Sequence, residues 1–172
     1  TAQELKKFCY THNKKTVQKE ELKMKGSYIL IIEMDEMKEI GIGKIGKIQF
    51  KGGGYAYVGS ALRNLEKRVE RHLGEEKKPH WHIDYLLPKA EIEEVVYCEN
   101  EKRKECEISE GFQREFDLIE NFGSSDCKCP SHLFYSEDVN KLLAKSESIL
   151  KDLKLEPKRW KDGKKLARQK EE

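Results

Sequence analysis

Between Gly52 and Leu73 the chain reads GGGYAYVGSALRNLEKRVERHL, which crowds Tyr55, Tyr57, Arg63, Arg68, Arg71 and His72 around Gly59. A phenol can accept or relay a proton, provided a neighbouring cation lowers its free pKa from near 10. Arginine grips phosphate through two parallel hydrogen bonds. Glycine at position 59 permits either a tight turn or the close approach of a ligand. Two readings follow from types and spacing alone: phosphate chemistry, or tyrosines packing a sheet beside a solvated arginine face. Spacing by itself leans towards packing.

Those residues need a strand and a helix to hold them. GSYILIIEMDE reads as a strand, because its β-branched run is too short for a buried helix. IGIGKIGKIQFKGGG suggests a hairpin, and YAYVGS a third strand that places Tyr55 and Tyr57 on one side. A helix of about four turns is expected next, with Leu62, Leu65, Val69 and Leu73 as its buried stripe and Arg68 and His72 sharing another face. HWHIDYLL reads as a short helix stopped by Pro88, and EIEEVVYCE as a strand. A helical pattern over 102–119 carries Ile108, Phe112 and Phe116; NFGSSDCKCPSHLFY reads as a loop; Val139 to Leu153 forms a last helix. The order implies an α+β fold, a small and mainly antiparallel sheet flanked by helices.

At 172 residues the chain suits one domain with extensions. The expected division is a lysine-rich arm or linker over 1–25, a domain over 26–136, and a C-terminal helix with a basic tail over 137–172. Charged residues make up 38%, yet the net charge is only +2, so overall charge does not announce a nucleic-acid binder. No apolar run is long enough to span a bilayer, and the lysine-studded start is no secretory signal. Five cysteines, an odd number, in a lysine- and glutamate-rich chain point to the reducing cytoplasm.

Two further clusters carry chemistry. His80 and His82, two apart in HWHID, would point apart on a helix but share a side in an extended segment, and they read equally as ligand contacts or as a capped, hydrogen-bonded surface pair; Asp84 beside them reads as a helix-face carboxylate. In CKCPSH, Cys127, Cys129 and His132 lie close together, with Cys106 and Cys98 available from elsewhere. Thiolates and imidazole are zinc's preferred donors, but a single residue between cysteines is tighter than the usual spacing. The spacing therefore favours a packed, metal-free thiol loop over a zinc site. The basic KRWKDGKKLARQK tail supplies non-specific DNA affinity or is a solvated end, with nothing to choose between them.

GSY at 26–28 followed by YVG at 57–59 resembles the paired motif of the GIY-YIG nuclease superfamily. YVGSA and EKRVERH resemble its homing-endonuclease branch. YAYVGSAL, HWHIDYLL and SSDCKCPSHLFY are similar to a compact subfamily long labelled a domain of unknown function, over roughly residues 26–136. The resemblance implies phosphodiester hydrolysis of DNA in repair or recombination, with Mg²⁺ or Mn²⁺ held by one glutamate on a later helix. It implies Tyr57 as general base, Tyr28 as the group that positions water, and Arg68 as the cation that stabilises phosphate charge. His72 would lie near the reacting phosphate, and Gly59, Arg63, Arg71, His80 and His82 would meet the nucleic acid. Glu105, Glu107 and Glu110 are the carboxylates on offer; Glu107 is preferred as the metal ligand, with Glu110 next. Ser27 and Val58 depart mildly from the motif, and the separation between Tyr28 and Tyr57 is longer than usual. A fused or separate DNA-repair protein fits as a partner. The competing readings are a catalytically idle nucleic-acid-binding module and a metal-stabilised interaction domain.

Overall fold

A computed structural model of the chain describes residues 24–75 and 77–161. The arm expected over 1–25, apart from Met24 and Lys25, and the tail beyond Lys161 lie outside the described residues.

The run GSYILIIEM forms β1 (Gly26–Met34), and it is apolar on both faces because both faces are covered. Residues Ile29, Leu30, Ile31 and Ile32 are each at most 1% exposed. Burying each such side chain stabilises by about 1.5–3 kcal/mol. Around β1 the chain builds β2 (Lys38–Ile42), β3 (Gly46–Phe50), β4 (Gly53–Ala61), α1 (Leu65–Leu73) and α2 (Ile83–Leu86). Then follow β5 (Glu91–Glu99), α3 (Glu105–Gln113), β6 (Asp117–Leu118), β7 (Leu133–Ser136), α4 (Val139–Asp152) and β8 (Lys158–Arg159). Six strands pair antiparallel in the order β6-β7-β4-β1-β5-β8, and β2 and β3 form a separate ribbon. This is a small α+β fold.

Strand alternation sorts the core into two halves. Tyr28, Leu30 and Ile32 of β1 join Tyr55 and Tyr57 of β4 beneath the β2–β3 ribbon, α1 and α2. Ile29 and Ile31 join Ala56, Val58 and Val96 beneath α3 and α4. Gly111 of α3 lets the helices close up, since a Cβ there would lie 2.8 Å from Ile149 of α4. Among the described residues no helix is long and apolar enough to cross a membrane.

Several boundaries differ from the sequence expectation. Helix α1 has 9 residues and not four turns, because the Asn64 side chain caps it by accepting from the Lys67 amide; Leu62 lies in the turn before it. Helix α2 ends before Pro88 as expected but starts only at Ile83, and a 3-10 turn over Leu87–Lys89 follows it. The helix expected over 102–119 shrinks to α3, since Asp117 and Leu118 pair with Tyr135 and Phe134. The loop expected over 121–135 therefore ends in strand β7, which its short length hides. Lys158 and Arg159, read as basic tail, add to β5 as an edge strand.

Candidate active site

The side chains that could do chemistry converge on one cleft where β1, β4, α1, the approach to α2, the start of α3 and the 119–132 loop meet. Tyr28, Tyr57, Gly59, Arg68, His80, His82 and Glu105 all line it. Antiparallel register explains the first three. Tyr28 pairs with Gly59, and Tyr57 lies two residues along on the same face. A Cβ at Gly59 would fall 2.4 Å from the Tyr28 hydroxyl and ring, so only glycine lets that phenol lie across β4. The close approach that Gly59 permits is thus first of all that of Tyr28.

Behind Tyr28 sits His72, 2% exposed, with its Nε2 2.8 Å from the Tyr28 hydroxyl. His72 is a wall behind the cleft, not part of its lining. Burial and the nearby Lys77 ammonium hold its pKa at about 3, so the ring is neutral at ordinary pH. Its Nδ1 finds no partner among the described residues. A buried N–H left without an acceptor is rarer than an unused lone pair, so we assign the proton to Nε2, which donates to the Tyr28 oxygen. Burial raises the Tyr28 phenol to about 12 against the pull of the Arg68 guanidinium. A phenol oxygen that accepts from its neighbours keeps its own proton to donate into the cleft.

Tyr57 is 7% exposed and packs edge-on against His72 and Phe122. Burial, with Tyr28 alongside, pushes its pKa well above the usual phenol value. That direction is opposite to the lowering a general base needs.

The three arginines separate by what they touch. Arg68 lies in the cleft with its guanidinium 4.3 Å from the centre of the Trp81 ring and one N–H donating to the Ser60 carbonyl. That stacking on an aromatic face orients the planar group and leaves donors for an anion. Arg71 is committed: it grips Asp84 with two hydrogen bonds of 2.8 and 2.9 Å. Asp84 is not a solvated helix-face carboxylate but a buried one, which also accepts from the His80 and Trp81 amides. Burial works to raise its carboxyl, yet Arg71 and the two amides outweigh it and hold it at about 2. Arg63 is exposed on the turn before α1, away from the cleft lining.

His82 and His80 both reach the cleft, on different terms. His82 Nδ1 accepts from the Gly123 amide at 2.8 Å, and burial lowers its pKa. Gly123 has φ +72, and a Cβ there would press on Tyr57 at 3.0 Å, so glycine is required on both counts. His80 is exposed and packs edge-on against Trp81.

The carboxylate differs from the one preferred on sequence grounds. Helix α3 begins at Glu105, and this first-turn residue faces the cleft with a side chain 14% exposed. Glu107 is 49% exposed and paired with Lys104, and Glu110 is exposed; neither lines the cleft. The sequence ranked Glu107 first and Glu110 next, but which glutamate faces the cleft depends on where the helix starts, and it starts at Glu105. Asp126, on the rim, is the other cleft carboxylate, and it is 71% exposed. Glu105 and Asp126 are thus the two carboxylates on the cleft, oxygen donors of the kind a hard divalent cation takes.

Against one wall of the cleft stands a second cluster. Cys106, Cys127, Cys129 and His132 place their donor atoms all within 4.8 Å of one another, a group that could hold a metal ion. The spacing of CKC favoured a metal-free loop, yet Cys106, named from the sequence as a further available thiol, is the residue that α3 brings to it. A separate groove lined by Lys51, Glu115, Tyr135 and Lys145 contains none of these residues.

The fold and cleft define a small α+β domain with two phenols, two arginines, Arg68 and Arg103, and two carboxylates, Glu105 and Asp126, lining one cleft. A family described as "Domain of unknown function DUF123" matches residues 27–155, and the chain belongs to that family. No curated protein matches the chain, and no solved structure does.

Proposed function

We propose that the protein is a metal-dependent DNA endonuclease of the GIY-YIG type, hydrolysing phosphodiester bonds in repair or recombination. One observation carries this reading: Tyr28, Tyr57, Arg68 and Glu105 come from four separate elements yet line one cleft. Packing alone does not require a stacked arginine and a sheltered carboxylate beside two phenols.

Arg68 binds a phosphate oxygen and offsets the charge that grows there in the transition state. The Tyr28 hydroxyl, its oxygen fixed by His72, donates its proton to a water or phosphate oxygen. Tyr57, protonated at rest, orients the attacking water and, once a bound cation has lowered its phenol, would take that water's proton. Glu105 would hold the divalent cation, which supplies positive charge that lowers the proton affinity of nearby water and phenols. His72 is a positioning residue, and Arg71 and Asp84 fix the Trp81 platform on which Arg68 stacks. Indeed Arg71 lies 4.6 Å from that same ring.

A nicking assay on supercoiled, branched and damaged DNA with Mg²⁺ or Mn²⁺ tests the proposal. Tyr57→Phe and Arg68→Ala should each lose most cleavage while retaining parental melting. If both variants cut like the parent, or the parent cuts none of these substrates with either metal, the nuclease reading is wrong.

A further inference from the structure

We propose that Cys106, Cys127, Cys129 and His132 hold one zinc ion with a structural role, and that it clamps the start of α3 to the 127–132 segment. Three observations converge. The four donors lie within 4.8 Å of one another, and a tetrahedral zinc with sulfur at about 2.3 Å requires edges of about 3.8 Å, a small contraction. Cys127 Sγ already lies 3.3 Å from His132 Nε2. The donors also come from two segments that the fold must bring together: the first turn of α3 and the loop that leads into β7.

Cys98 shows what an ordinary core thiol looks like in this protein. It is fully buried in the α3–α4 half of the core, and its Sγ donates to Asn100. Cys106, Cys127 and Cys129 are instead only partly buried and turned towards one another and an imidazole. Four protein donors fill a tetrahedral shell and leave no open position, so the ion is structural and takes no part in hydrolysis.

The position of this clamp gives it a purpose. Cys106 adjoins Glu105, and the His132 carbonyl accepts from the Val58 amide at 3.0 Å, next to Tyr57. Closing the shell therefore ties the cleft carboxylate to the strand that bears the cleft phenol. Zinc occupancy is measured without any cleavage assay, so it can stand if the nuclease reading falls.

The test is metal content of the untagged full chain purified without chelator, by plasma emission spectrometry, followed by cobalt exchange. About one zinc per chain is expected, with cobalt giving the intense visible bands of a tetrahedral thiolate site. Removing the ion should lower the melting midpoint by roughly 10 °C or more, since metal binding in such sites is folding free energy. Cys98→Ser should keep the zinc, and Cys129→Ser should lose it; the parent measurement stands even if the second variant fails to fold. Less than a tenth of an equivalent, with no uptake from added zinc, overturns the proposal. So does an intact mass two hydrogens light, which would show a disulfide in its place.

Discussion

Replacing Glu105 by glutamine separates the structural placement of the metal carboxylate from the one that spacing favours. The amide keeps the side chain's volume and removes only its charge. The stability cost is small: the nearest cation, Arg103, lies 3.9 Å away and is itself 67% exposed. Such a pair contributes about 0–1 kcal/mol, or a melting shift of at most about 4 °C in a domain of this size. The catalytic cost is larger, because a cation held here would supply several kcal/mol of charge stabilisation in the transition state. A loss of about 3–4 kcal/mol corresponds to roughly 10²–10³ in rate. Glu107→Gln, on an exposed residue 3.2 Å from Lys104, should stay within about twofold of the parent by the same surface-pair reasoning. Single-turnover cleavage of a supercoiled plasmid in Mg²⁺ or Mn²⁺, alongside thermal melts, reads both effects. Should Glu105→Gln cut within about fivefold of the parent, or Glu107→Gln fall as far as Glu105→Gln, the placement of the carboxylate is refuted.

Stability should decline with acid through a histidine window. His72 titrates near 3 when folded against an ordinary 6.5, so the neutral ring's stabilisation is complete above about pH 6.5 and lost as pH falls towards 3. Burial lowers His82 in the same direction, so the loss between pH 7 and 5 should be about 2 kcal/mol or more in denaturant melts, and shallower in His72→Gln; a flat profile refutes the buried neutral ring. DNA affinity should fall steeply with salt, and removing residues 162–172, which carry Lys164, Lys165, Arg168 and Lys170, should flatten the slope without changing cleavage at saturating DNA. An unchanged slope denies the tail a role. The cut must fall after Lys161, because Lys158 and Arg159 pair with β5 and Trp160 packs edge-on against Tyr97.

The strands of the central sheet were legible because both faces of β1 are buried, and a run such as YILII has no other home in a chain this polar. The α1 stripe was legible for the same reason: Leu65 and Val69 are fully buried at helical spacing. What failed was the ends. Asn64 is a cap only once its side chain reaches the Lys67 amide, and no periodicity announces that. Strands β6, β7 and β8 are too short to carry an alternation, so only their partners define them. The miss on α3 had a consequence for function, because a helix that starts at Glu105 presents that residue to the cleft and Cys106 to Cys127, Cys129 and His132.

Residue types on α1 were legible, but not their division of labour. Arg68, Arg71 and His72 stand at three- and four-residue spacings, so they share one side of the helix and look equivalent in the sequence. Each is decided by what the fold sets opposite it. Arg71 meets a buried carboxylate and becomes structural. His72 meets a phenol in a dry pocket, which suppresses its charge and makes it a fixed hydrogen-bond partner. Arg68 and Arg71 both lie over the Trp81 ring, but Arg71 is neutralised by Asp84, whereas the ring only orients the Arg68 guanidinium. The partners come from Tyr28, on a strand far back in sequence, and from Trp81 and Asp84, which a proline separates from α1. An arginine kept in charge and held in place on the cleft wall is therefore a product of tertiary structure, although every residue that produces it was visible from the start.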